Sequence, residues 1–204
     1  MPHLLKTVAD LEAVYGAPNP RSLLKEIDHL NEDYRAFVEA SPFIVLSSVG
    51  AEGTDASPKG DAPGFVRIID ERALAIPDRP GNNRIDNLRN IVEDGRVSVL
   101  FIVPGVGETL RVNGTASISA DPELLASFAV RDKLPRSVIL VHVQTVYFHC
   151  SKALVRSKLW ERGAQEVAPA LPTAGKILQH ISGGAFDGEA YDRDMPERLK
   201  TTLY

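Results

Sequence analysis

Residues 53–84 read GTDASPKGDAPGFVRIIDERALAIPDRPGNNR. The stretch breaks into three extended runs, 54–59, 64–69 and 73–76, with a turn at Asp70, Glu71 and Arg72. Apolar and β-branched residues dominate the last two runs, and Pro and Gly punctuate the first, as in short strands joined by tight connections. The third run passes into a loop containing Pro77, Asp78, Arg79, Pro80 and Gly81. Asn82 or Asn83 can then cap a helix running to about Glu93, because an amide oxygen accepts a free first-turn N–H. Basic and small polar residues gather where these elements would meet. Such a cluster can hold a phosphorylated ligand against the wall of a β-barrel.

The flanking sequence extends the same pattern. Residues 43–49, FIVLSSV, read as a buried strand, and 50–53 as a hairpin turn into the run at 54. Residues 7–15 form a short amphipathic helix. Over 21–39, Leu23, Leu24, Ile27, Leu30, Tyr34, Phe37 and Val38 recur at helical spacing and predict one helix, ended by Ser41 and Pro42. Downstream come strands at 96–103 and 108–118, and a helix opened by Asp121, Pro122 and Glu123 that reaches about Val130. A long final strand covers 137–149 and a helical piece 151–159. A loose linker at 161–172 leads to two weak helices, 174–181 and 187–199. Many short strands with few long helices between them predict a mainly β (α+β) fold, an antiparallel barrel closed or partly closed. The helix after Asn83 would cover one barrel end. The organisation expected is a helical extension over 1–40, the barrel over 41–160, and a tail over 161–204 packed on the same domain or on a dimer partner.

Composition narrows the function. A chain of 204 residues, 44% apolar and 25% charged, is long enough for a proper core and ordinary for a globular protein. The formal net charge of −4 argues against broad binding to nucleic acid or anionic membrane. Cys150 is the single cysteine, so no intrachain disulfide forms and a reducing, cytoplasmic setting is expected. Neither a signal peptide nor an apolar run of the ~20 residues needed to span a bilayer is apparent. No G-x-S-x-G, Walker loop or H-E-x-x-H motif occurs, so the sequence offers no ready-made catalytic device.

Four groups of residues could bind a ligand. Gly81, Asn82, Asn83 and Arg84 stand at a helix N-terminus, where free N–H groups and a guanidinium suit phosphate; a plain cap with a solvated arginine would look the same. Ser57 and Lys59 share a face of an extended run, Pro58 confines that run to an edge, and Gly60 permits close approach of a ligand to the backbone. A hydroxyl and an ammonium on one face suit a phosphate or a polyol, and equally a charged surface hairpin. Arg111 lies among strand residues, with Thr109 and Asn113 on its side of the sheet or all three turned to solvent. Lys152, Arg156 and Trp160 stand four apart on one helix face, as a flank for an aromatic anion or as a basic helix with a core tryptophan. His142 and His149 are an odd number of residues apart, so a regular strand would point them to opposite sides, and neither has metal-ligand spacing with Cys150.

Taken together, DASPKGD, GFVRIID, ALAIPD, GNNRIDNL, RVSVLF, ETLRVNG and SKALVRSKLW resemble, in order and spacing, the pyridoxamine 5′-phosphate oxidase-like, FMN-binding split-barrel superfamily, and more narrowly a bacterial branch of FMN-dependent enzymes. The resemblance spans about residues 35–160. It implies a split barrel with flanking helices and a homodimer with FMN at the subunit interface. It implies that Ser57, Pro58, Lys59 and Gly60 line the flavin ring and ribityl chain. Ile76, Pro77, Asp78, Asn82, Asn83 and Arg84 match the phosphate loop. A Ser-Arg-Lys triplet of the vitamin B6 oxidases is replaced here by Asn82, Asn83 and Arg84, leaving Lys59 as the candidate second cation. Thr109, Leu110 and Arg111 match a stretch contributed by the other subunit, and Lys152, Arg156 and Trp160 fall near the C-terminal flavin contacts. The Arg-x-His pair that ends the B6 oxidases is missing, so the resemblance does not extend to their substrate. The implied activity is FMN-dependent hydride transfer to or from an unidentified small molecule, with Lys59 or Arg111 near the ring. Alternatives are a flavin-binding carrier or sensor without turnover, and a barrel that takes haem, through His142 or His149, or a deazaflavin.

Overall fold

The computed structural model describes residues 4–161, 163 and 171–202. Seven strands form one antiparallel sheet: β1 (Phe43–Gly50), β2 (Gly53–Gly60), β3 (Arg67–Asp70), β4 (Ala73–Asp78), β5 (Arg96–Ile102), β6 (Thr109–Ser119) and β7 (Ser137–His149). Their order is β2-β1-β5-β6-β7-β4-β3, and β2 and β3 are the edges, so the sheet curls without closing. This is the antiparallel split-barrel arrangement expected from the sequence.

Alternation builds the core. Ile44 and Leu46 of β1, Val97, Val99 and Phe101 of β5, and Leu110 and Val112 of β6 are buried and pack into one cluster. Their neighbours in sequence face outward and are partly covered. β4 departs from alternation, with Leu74, Ala75, Ile76 and Pro77 all buried. The cause is α5 (Pro122–Ser127), whose Leu124 and Leu125, together with Phe128, cover Ala75 and Val138 from the outside.

The helices differ from expectation in three places. The single helix read over 21–39 is two, α2 (Pro20–Leu24) and α3 (Glu32–Ala40), following α1 (Val8–Tyr15). Between them Ile27 exchanges backbone hydrogen bonds with Val146 of β7, which removes it from any helix. The Asn31 side chain then accepts from the Tyr34 N–H and starts α3 afresh. The helix after the 77–85 loop, α4 (Asp86–Glu93), is capped by neither Asn82 nor Asn83. Its N-cap is Ile85, which makes no side-chain cap bond and sits in the left-handed region at φ 55°. The last correction is at α6 (Lys152–Ser157), which ends before Trp160, because Lys158 turns left-handed. Trp160 therefore does not share a helical stripe with Lys152 and Arg156.

The tail folds as α7 (Ala174–Ile181) against α8 (Gly188–Thr202), while most of the stretch read as a linker lies outside the described residues. Among the described residues no helix is long and apolar enough to cross a membrane, and no group of three or more metal-ligating side chains occurs.

Candidate functional site

The 53–84 stretch and its surroundings wrap a cleft of about 890 Å³. One wall is the face of β2 that carries Asp55, Ser57 and Lys59, each half-buried by the period-two alternation. The opposite wall runs from Pro77 and Asp78 through the 79–85 loop into the first turn of α4, with Arg136 and Ser137 beside it. Of the residues singled out in the sequence, Ser57, Pro58, Lys59, Gly60, Pro77, Asp78, Asn82, Asn83 and Arg84 line this cleft.

The charges are mostly paired. Lys59 Nζ donates to Asp78 Oδ1 at 2.5 Å, and the two side chains are only 18% and 19% exposed. Arg79 Nε donates to Asp61 Oδ2 at 3.0 Å, and its Nη1 to the Phe128 carbonyl at 2.8 Å. Arg84 Nε donates to Asp86 Oδ2 at 2.8 Å, which raises the guanidinium above its ordinary value, and its side chain is 75% exposed. Arg136 differs: its Nη1 donates to the neutral Asn83 Oδ1 at 2.9 Å. The loop that holds these groups has two non-glycine residues at positive φ, Asn83 at 60° and Ile85 at 55°. Asparagine tolerates that region; a β-branched isoleucine does not do so readily, so the surrounding structure must hold it there.

Below the cleft a buried polar knot fixes α4 to the sheet. Ser48 Oγ accepts from Asn87 Nδ2 at 2.7 Å and from Asn90 Nδ2 at 3.1 Å, and Asn90 also donates to Asp55 Oδ2 at 2.8 Å. The knot ties β1, β2 and α4 together. Asn87, Asn90, Ser48, Asp55 and Arg136 were not picked out by the sequence reading. Asn87 and Asn90 did carry a signal: they stand three apart, on the face of α4 that also buries Ile91, where apolar residues are expected.

The remaining candidates lie elsewhere. Ile76 is fully buried in the core, as is Leu110. Arg111 donates to the Tyr147 hydroxyl at 2.9 Å on the outward face of β6 and β7, with Thr109 and Asn113 on the same side. Lys152 and Arg156 are exposed, and Trp160 Nε1 donates to the Val106 carbonyl at 2.9 Å. His142 and His149 do not line the cleft. They also fall on the same side of β7, not opposite sides. A bulge pairs Asn113 with Thr145 and Gly114 with Val143, skipping Gln144 and shifting the parity by one.

His149 Nε2 is buried without a hydrogen-bond partner among the described residues, and burial pushes its imidazole below the ordinary value, with the charges of Arg111 and Lys25 adding to the effect. A histidine depressed in this way binds fewer protons folded than unfolded. Its contribution to stability is present above the ordinary imidazole value and is lost as pH falls toward the folded one. The melting temperature should therefore fall between about pH 7 and pH 5, and fall less in a His149→Gln variant; equal slopes would count against this role.

The sequence model of the pyridoxamine 5′-phosphate oxidase family matches residues 30–150, more than half of the chain. The chain belongs to that family. Comparison with curated proteins gives no match. Among solved structures, a HupZ variant of Group A Streptococcus is 18% identical, covering 59% of this chain and 99% of that one with a TM-score of 0.48. A protein related to general stress protein 26, of the pyridoxinephosphate oxidase family from Clostridium acetobutylicum, is 11% identical over 58% of this chain and 86% of that one, TM-score 0.44. An F420 reductase is 18% identical over 58% and 98%, TM-score 0.42. Likenesses this remote carry no functional argument.

Proposed function

We propose that the cleft holds FMN, and that the chain is an FMN-dependent oxidoreductase working as a homodimer with FMN at the subunit interface. The observation that carries this reading is that Ser57–Gly60 of β2 and the 77–84 segment, matched separately to flavin and phosphate contacts, line one cleft. The donor set fits the group. The volume lies within the usual ~300–1,000 Å³ of small-molecule sites. Phe65, Leu88, Pro58 and Pro77 offer apolar surface to a flat ring, Ser57 and Lys59 offer donors to a polyol chain, and the arginines suit an anionic end.

Bound FMN would supply the hydride chemistry that no side chain here can perform. The chain's own part is placement. In this reading Lys59, oriented by Asp78, hydrogen-bonds the ring and ribityl end and sets a positive charge beside it. Phe65 and the prolines keep water from the ring.

The dimer is supported by the outward face of β1 and β5. There Phe43 is 39% exposed and Val45, Leu100 and Ile102 are only partly covered. Val45, Leu100, Arg111 and Tyr147 form one cross-strand row, so a second copy covering the apolar pairs would also meet Arg111. In this reading Thr109 and Arg111 serve the other copy's cleft.

Titration with FMN is expected to saturate near one FMN per chain, with the visible absorbance of oxidised flavin, followed by bleaching with NADH or NADPH and recovery with an electron acceptor. No uptake of FMN would overturn the cofactor. Uptake without reduction by either donor would count against the oxidoreductase and favour a carrier.

A further inference from the structure

We propose that Arg136, presented by Asn83, is the residue that selects a phosphate-terminated ligand over its neutral alcohol. The inference rests on the FMN reading above and assigns a part of that site that the sequence did not reveal.

Among the described residues four cations line the cleft: Lys59, Arg79, Arg84 and Arg136. An anion arriving at Lys59 competes with the Asp78 carboxylate already in contact with it, and at Arg79 with Asp61. At Arg84 it competes with the Asp86 carboxylate, which already holds that guanidinium. Arg136 makes no ion pair with a carboxylate among the described residues, and its guanidinium rests on an amide oxygen. Displacing a neutral acceptor with a phosphate exchanges a single hydrogen bond to an uncharged oxygen for a bidentate one between opposite charges. Phosphate therefore gains most at Arg136.

The surrounding backbone is set for this task. The Arg136 N–H donates to the Asp78 carbonyl at 3.0 Å, which fixes its backbone to the end of β4 beside the Lys59–Asp78 pair. Pro135 and Ser137 on either side are buried while the Arg136 side chain is exposed to the cleft. Asn83 is held left-handed and aims its Oδ1 at the guanidinium. Asn83 is then a positioning residue.

The test compares FMN, riboflavin and inorganic phosphate on the full chain, read by flavin fluorescence quenching and by melting temperature. Arg136 is exposed, so Arg136→Gln should fold as the wild type does. The expected result is that Arg136→Gln weakens FMN binding about 10- to 100-fold and leaves riboflavin within about 2-fold. Arg136→Lys should recover only part of the loss, since it restores charge without the fork. An Arg136→Gln variant that still prefers FMN to riboflavin as strongly as the wild type overturns the inference and leaves the FMN reading standing. If the wild type binds neither flavin, the FMN reading fails. The phosphate arm then decides: a rise in melting temperature with phosphate over chloride, lost in Arg136→Gln, supports the anion site, and no rise in the wild type overturns it.

Discussion

A Lys59→Met variant is expected to bind FMN about 10- to 150-fold more weakly than the wild type, and riboflavin at least about tenfold more weakly. Methionine keeps the apolar stem and removes the ammonium. Two effects then add. The charged hydrogen bond assigned to the ring and ribityl end is lost. The Asp78 carboxylate, only 19% exposed and formerly paired with Lys59, is left uncompensated on the cleft wall, where it repels an anionic ligand. The double variant Lys59→Met/Asp78→Asn should recover part of the FMN loss, because it removes the orphaned charge without restoring the donor. A loss confined to FMN, with riboflavin untouched, would place Lys59 at the phosphate and contradict its assignment to the ring. Lys59 and Arg136 thus predict opposite patterns: the first acts on both flavins, the second on the phosphorylated one alone.

Gly114→Ala is expected to lower the melting temperature by about 6–12 °C, a destabilisation of roughly 3 kcal/mol at a chain of this size. A Cβ at Gly114 would stand 1.9 Å from the His142 carbonyl oxygen and 3.0 Å from its carbon. Both atoms are backbone of the paired strand, so no rotamer change makes room. Gly114 sits at the register shift in the β6–β7 pairing, the pairing that carries the long final strand past the core. Relief would require separating strands whose inward residues, Val112, Val143 and Val146, are fully buried. Gly81→Ala is the control: no atom of the described residues lies within 4 Å of its added Cβ, and its φ is not in the left-handed region. A Gly114→Ala variant that melts within about 2 °C of the wild type would show that the bulge yields more easily than this geometry implies.

The sheet was legible in the sequence because burial on one face imposes alternation, and β1, β5 and β6 alternate. The stretch at 54–78 was legible for a second reason: Pro58 marks an edge strand, and Gly60 and the Asp70–Arg72 turn mark where strands stop. What escaped was what remote segments decide. One helix over 21–39 satisfied every local rule, but β7 claims Ile27 for its own backbone. Asn82 and Asn83 are good caps by type, yet the loop gives the cap position to a strained Ile85 and turns Asn83 toward Arg136. The parity of His142 and His149 depended on a bulge that only the β6–β7 register reveals. Arg136 had no local signal at all. It reaches the cleft because its backbone N–H meets Asp78, far away in sequence, and its charge matters because the neighbouring cations are already paired.

A crystal structure of the chain grown with FMN tests the central claim most directly. The expected density places the ring along Ser57–Gly60 and the phosphate within hydrogen-bonding reach of Arg136 and the 82–84 loop, with Arg111 of a second copy facing the same flavin. Crystals that hold FMN elsewhere, or leave Lys59 and Arg136 against open solvent in a chain with no partner over β1 and β5, would contradict it.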